Sequence, residues 1–138
     1  MSERAEAIAE AGSTARAALE ATHQAREIAL GASRSTIRAC ARAIRAAHRR
    51  EYDQARACID EARELLDAVD AATRAQGSVR HAGFVHDAQK EYAEAALTLA
   101  FIEGGALPSA ADLGVDSAAY LLPAGTSFRF AWRWGPAR

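Results

Sequence analysis

Ile28-Ala29-Leu30-Gly31-Ala32-Ser33-Arg34-Ser35-Thr36-Ile37-Arg38-Ala39-Cys40-Ala41-Arg42-Ala43-Ile44-Arg45-Ala46-Ala47-His48-Arg49-Arg50 is a stretch in which Leu30, Ile37 and Ile44 recur every seven positions. Ser33, Cys40 and Ala47 fill the seam between them. One narrow stripe therefore packs and the remaining surface faces solvent, the pattern of an amphipathic helix. Toward the N-terminus the same texture persists: from Glu3 to Arg50 there is no proline, Ala, Arg and Glu dominate, and only Gly12 and Gly31 interrupt. Helix propensity is high throughout. A continuous helix over Glu3 to Arg50 would reach about 70 Å at 1.5 Å per residue, whereas a compact chain of this length has a radius of gyration of roughly 14 Å. A rod of that length needs partners, so self-association into a homo-oligomer is expected.

Downstream, Tyr52 to Arg74 reads as a second helix with Ala55, Cys58 or Ile59, Ala62, Leu65 or Leu66 and Val69 on its buried face. Its charge opposes that of its predecessor. Ile28 to Arg50 carries six Arg and no acid, while Glu51 to Asp70 carries seven acids and two Arg. The pair is expected to run antiparallel with complementary charges. Gln76-Gly77-Ser78 reads as a turn, and a third helix runs from Gly83 to Glu103, stopped by Gly104-Gly105. Pro108-Ser109 opens a short helical turn through Leu113, and Asp116 can cap a last segment, Ser117 to Leu122, that Pro123 breaks. The fold class is all-α.

Composition bounds the function. The 138 residues fit one domain, and 17 Lys+Arg against 18 Asp+Glu exclude a wholly basic nucleic-acid coat or an acidic tail. Of the 69 hydrophobic residues 37 are Ala, so the core is thin. No apolar run approaches the roughly 18 residues of a membrane span, and Met1 to Glu10 lacks the apolar stretch of a signal peptide. A cytoplasmic protein without membrane contact is expected. Two cysteines, Cys40 and Cys58, exclude a disulfide framework or a cysteine-rich zinc site and read as small buried thiols.

Two constellations carry candidate chemistry. Asp87, Glu91 and Glu94 stand at offsets of four and three, on one face of the third helix. Such a row describes an acidic solvated face, or a site for Mg²⁺ or Mn²⁺, hard ions that prefer carboxylate oxygens and can polarise a phosphoryl oxygen and activate water. Arg80, His81, His86 and Lys90 lie nearby in sequence. On helix one, Arg34, Arg38, Arg42, Arg45 and Arg49 recur every three or four residues, with His48 and Arg50 at the end. That face either contacts a nucleic-acid backbone through charge-assisted hydrogen bonds or pairs with the acidic second helix. After Pro123 the periodicity switches to two: Phe128, Phe130, Trp132 and Trp134 alternate with Arg129, Ala131 and Arg133. Residues 123–138 are expected to be a disordered or non-native tail.

Gly83-Phe84-Val85-His86-Asp87-Ala88-Gln89-Lys90-Glu91-Tyr92-Ala93-Glu94-Ala95 resembles the central motif of the translin family, especially the archaeal members and the Trax subunit. Ser33 to Arg49 resembles the first-helix pattern ending in His-Arg. Leu107-Pro108 with Leu113-Gly114-Val115 resembles the connector, and Tyr120-Leu121-Leu122 the start of the next motif. The resemblance spans roughly residues 25 to 122. It implies a translin-like antiparallel helical bundle over residues 1–122, closed oligomers, and binding of single-stranded RNA or DNA, for which the basic residues Arg34, Arg38, Arg45, His48, Arg49 and Arg80 are the candidates. In Trax-like subunits it also implies Mg²⁺-dependent endoribonuclease activity, with Glu91 and Glu94 as catalytic, metal-binding residues; Asp87 matches no catalytic position. The alternative is a purely structural, self-associating helical protein.

The departure from the family follows Leu122. There the family continues with a segment that supplies a third catalytic Asp and then further helices, whereas this chain reads Pro123-Ala124-Gly125-Thr126 and ends at Arg138. A frameshift or truncation is the expected cause, since reading the codons for residues 123–129 one base out of phase permits an Asp level with position 126.

Overall fold

The computed structural model describes residues 2–124 of the chain. Within them the elements are α1 (Glu3–His48), α2 (Tyr52–Thr73), α3 (Gly77–Arg80), α4 (Gly83–Glu103) and α5 (Ala110–Leu113), followed by a sixth helical segment over residues 117–124. The described residues contain no strand, and the architecture is all-α. None of their helices is long and apolar enough to cross a membrane.

The ends of α1 follow from local chemistry. Ser2 caps the first turn by accepting the Ala5 N–H at 3.3 Å, and Glu3 and Glu6 there face the positive end of the helix dipole while Arg45 and His48 face the negative end. The helix stops at His48, two residues earlier than the sequence predicts. Arg50 turns left-handed (φ 61°), and the Glu51 and Arg50 N–H groups donate back to the carbonyls of Ala46 and Ala47. This closing bond pair favours glycine at the left-handed position. Gly104 after α4 and Gly114 after α5 meet that preference, with φ of 73° and 62°. α5 is opened by a reciprocal pair in which Ser109 Oγ accepts the Asp112 N–H and Asp112 accepts the Ser109 N–H.

α2 returns antiparallel along α1. The Thr22 hydroxyl donates 2.8 Å to Gln76 Oε1 at one end, Arg42 pairs with Glu61 at 2.6 Å in the middle, and Ala46, Ala47 and Ala55 pack together at the other end. α4 then runs parallel to α1, with Val85 near Ala29, Tyr92 and Ala93 against Ala39 and Cys40, and Leu99 against Ala46 and Ala47. Residues 76–78, expected as a turn, instead lead into the single helical turn α3, because Val79 finds a buried place against Ala29, Val69 and Val85. The last segment runs through Pro123 to residue 124 rather than breaking before it. Pro123 forfeits one helical bond to the carbonyl four residues earlier, and it is itself buried. Residues 125–138, and with them most of the expected atypical tail, lie outside the described residues.

The buried face of α1 is not the bulky heptad row. Ala25, Ala29, Ser33, Thr36, Ala39, Cys40, Ala43, Ala46 and Ala47 are buried, whereas Leu30 and Ile44 are half-buried and Ile37 is 37% exposed. The cause lies in the partners: α2 and α4 offer Ala55, Ala62, Ala88, Ala93, Ala95 and Ala96 at the contact. Small side chains on both sides let the axes approach closely, and the bulky row is left at the flank. Before Ala25 almost nothing of α1 is covered: residues 2–21 are exposed except for half-buried Ala5.

Candidate nucleic-acid interface and acidic pair

The five arginines from Arg34 to Arg49 divide by partner. Arg42 is bound to Glu61 of α2, and Arg49 makes two 2.9 Å hydrogen bonds to Glu51, holding that carboxyl below its ordinary range. Arg34 and Arg45 are exposed and make no ion pair among the described residues, and Arg38 is exposed with one 2.9 Å hydrogen bond to Ser35 of its own helix. Charge pairing across the α1–α2 hairpin is thus observed at Arg42, while the Arg49–Glu51 pair is local to the connecting turn. His48 is exposed in the last turn of α1. Arg80 follows Val79, which packs against Ala29, so it lies toward the Arg34 end, 3.5 Å from Asp70.

Glu91 and Glu94 are brought together on α4, both half-buried. Burial first, and the Glu91 charge second, push the Glu94 carboxyl above its ordinary pKa. Asp87, the third member of the row, is exposed and lies 3.7 Å from Lys90. Glu91 reaches the core edge near Cys40, whose thiol burial pushes up to about 12 with a smaller contribution from the Glu91 charge.

The fit of this pair to a divalent ion is incomplete. Mg²⁺ demands near-octahedral oxygen ligation, and among the described residues no three His, Cys, Asp or Glu side chains come together in a way that could hold a metal ion. The pair is also turned from the basic row. At 100° per residue, Arg45 stands about 140° round α1 from Cys40, the residue that marks the Glu91 side. A strand lying on Arg34, Arg38 and Arg45 would not pass over the carboxylates of the same chain.

Sequence spacing along the helix could not distinguish Arg42 from its neighbours, since the position of Glu61 across the hairpin needs the register of α1 on α2. For Arg49 the signal was local, in Glu51 two residues on. In comparisons with known proteins, no family model, no curated protein and no solved structure matches this chain.

Proposed function

We propose that the chain is a translin-like protein that binds single-stranded RNA or DNA through the outer face of α1. The observation that carries this reading is the set Arg34, Arg38 and Arg45, exposed and without acidic partners among the described residues, spread over about 17 Å of helix axis. Planar guanidinium forks form charge-assisted hydrogen bonds with phosphate oxygens, and backbone contacts of this kind carry no sequence information. The preference for single strands rests on the resemblance of Gly83 to Ala95 to the translin motif.

On the same resemblance, Glu91 and Glu94 contribute ligands for Mg²⁺ or Mn²⁺ in an endoribonuclease site. Two carboxylates do not fix metal and water in line with phosphorus, so the 138-residue chain is expected to bind RNA without cutting it. Metal-dependent RNA cleavage by the purified chain, abolished by Glu91→Ala or Glu94→Ala, would overturn that expectation.

A filter-binding titration of a single-stranded RNA oligonucleotide at increasing salt tests the binding. Affinity should fall linearly on a log–log scale, and replacing Arg34, Arg38 and Arg45 by Gln should lower the slope by about two units, at roughly 0.7 per phosphate contact. An unchanged slope would exclude the row as a phosphate surface. The second reading, a purely structural helical protein, is favoured by the Arg42–Glu61 and Arg49–Glu51 pairs. No retention of RNA at low salt would select it.

A further inference from the structure

Two arginine side chains of the described residues lie over aromatic rings, and they differ in how they are held. Arg63 covers Tyr92, which is 5% exposed, and is itself fixed by hydrogen bonds to Asp67 and to the Leu113 carbonyl. Arg26 covers Phe84, with its guanidinium carbon 5.3 Å from the ring centre. Arg26 is exposed and makes no hydrogen bond or ion pair among the described residues. A cation–π contact at an exposed position is weak, so this guanidinium can lift away and admit a second flat group to the ring.

The ring itself is anchored. Phe84 is half-buried in the first turn of α4 and packs against the cluster of Ala29, Val69, Val79 and Val85. Beside it Gly83 carries no side chain, and nothing lies within 4 Å of where its Cβ would stand. The approach along that side of the first turn is open.

Position joins this stack to the basic row. Ala29, against which Phe84 packs, lies five residues before Arg34, about 8 Å along the axis of α1. At 100° per residue Arg34, Arg38 and Arg45 stand within about 40° of one another, and Arg26 stands about 80° to one side. That is the flank of Cys40, which packs against α4. Glu27 lies on the line of the row, seven residues before Arg34, and repels a phosphate there. A strand that follows the row toward the N-terminus is therefore turned off α1 at Arg34, toward Arg26 and Phe84.

Unpaired bases offer flat faces that a duplex keeps stacked within itself, and aromatic rings and guanidinium planes are the groups that take them. Resting on the reading of the arginine row as a phosphate surface, we propose that Phe84 with Arg26 is a base-stacking platform, which takes one unpaired nucleobase of the strand held by Arg34, Arg38 and Arg45. The platform gives the site a preference for single strands that phosphate contacts do not supply.

Filter binding of the full chain compares a single-stranded RNA with a strand of the same length that lacks its bases. Wild type should hold the abasic strand about 5- to 150-fold more weakly, the loss of one stacked base, with the salt slope unchanged because the phosphates remain. Phe84→Leu keeps an apolar side chain in the cluster but offers no ring. It should bind the intact strand as weakly as the abasic one, whereas Phe84→Tyr should bind as wild type does. Photocrosslinking of wild type to an iodouridine strand, mapped by peptide mass spectrometry, should mark Phe84, and this readout holds where Phe84→Leu loses its fold. Equal binding of the two strands by wild type, an undiminished preference for the intact strand in folded Phe84→Leu, or crosslinks only at other residues would each overturn the platform and leave the arginine row standing. A wild-type chain that retains no RNA at low salt would overturn both.

Discussion

The Arg63 guanidinium donates a 2.7 Å hydrogen bond to the carbonyl of Leu113. Its other nitrogens meet Asp67, and its plane lies 5.3 Å from the centre of the Tyr92 ring. One side chain of α2 thereby fixes the last turn of α5 and caps a buried aromatic of α4. Arg63→Ala should cost about 1.5–3 kcal/mol in urea unfolding, as expected for a charged hydrogen bond. Arg63→Lys should recover only part of this, because an ammonium lacks the fork. Full recovery by Lys would show that the charge alone matters.

Arg50 occupies the left-handed position that closes α1. A residue with a Cβ is strained there and glycine is not. Arg50→Gly should therefore be stabilising, by about 0.5–1 kcal/mol, offset in part by the freer unfolded chain. Thermal melts of the variant beside Arg50→Val, which should melt lower than wild type, check the sign.

Ser33 is 1% exposed and its hydroxyl has no hydrogen-bond partner in the structure. An unsatisfied buried hydroxyl carries a desolvation cost of about 1–3 kcal/mol. Ser33→Ala removes it with little change of volume, so chemical denaturation should show a gain of about 1 kcal/mol. A loss would mean that the hydroxyl is bonded in solution.

Burial and Glu91 hold the Glu94 carboxyl above its ordinary value of 4.5. A group that binds its proton more tightly in the fold adds stability that is full below the unfolded value and is lost as pH rises through the folded one. Glu94→Gln should accordingly melt higher than wild type at pH 7, with the difference narrowing as pH falls toward 4.5 and closed below it. A variant that melts lower at pH 7 would show that the ionised carboxylate makes a favourable contact, with Lys90 the nearest cation in sequence.

Much of this architecture was legible in the sequence. The absence of proline before Tyr52 and the paired glycines after Glu103 place the three long helices to within two residues. The packing face of α1 was legible only in part: Ser33, Cys40 and Ala47 of the expected stripe are buried, but its bulky row is not. The heptad of Leu30, Ile37 and Ile44 is a strong apolar signal, but the buried surface follows the small residues because α2 and α4 are themselves Ala-lined. Periodicity reports which residues share a face, not which face a neighbour will choose. At the candidate sites the same limit applied. Spacing placed Glu91 beside Glu94 and aligned the arginines, yet the loss of Arg42 to Glu61 depends on a residue brought close by the hairpin turn.

A core built from alanine has a consequence for how the protein tolerates change. Alanine has no rotamers to lose on folding, so the contact between α1 and its neighbours forms without the entropic penalty of ordering long side chains. For the same reason little in that contact beyond Leu66, Tyr92 and Leu99 can swing aside. A methyl or two added at the fully buried Ala39, Ala43 or Ala47 would overpack the seam and force the neighbouring side chains and helix axes to shift. Substitutions should therefore be sharply divided between an intolerant seam and a permissive outer surface, with few positions in between.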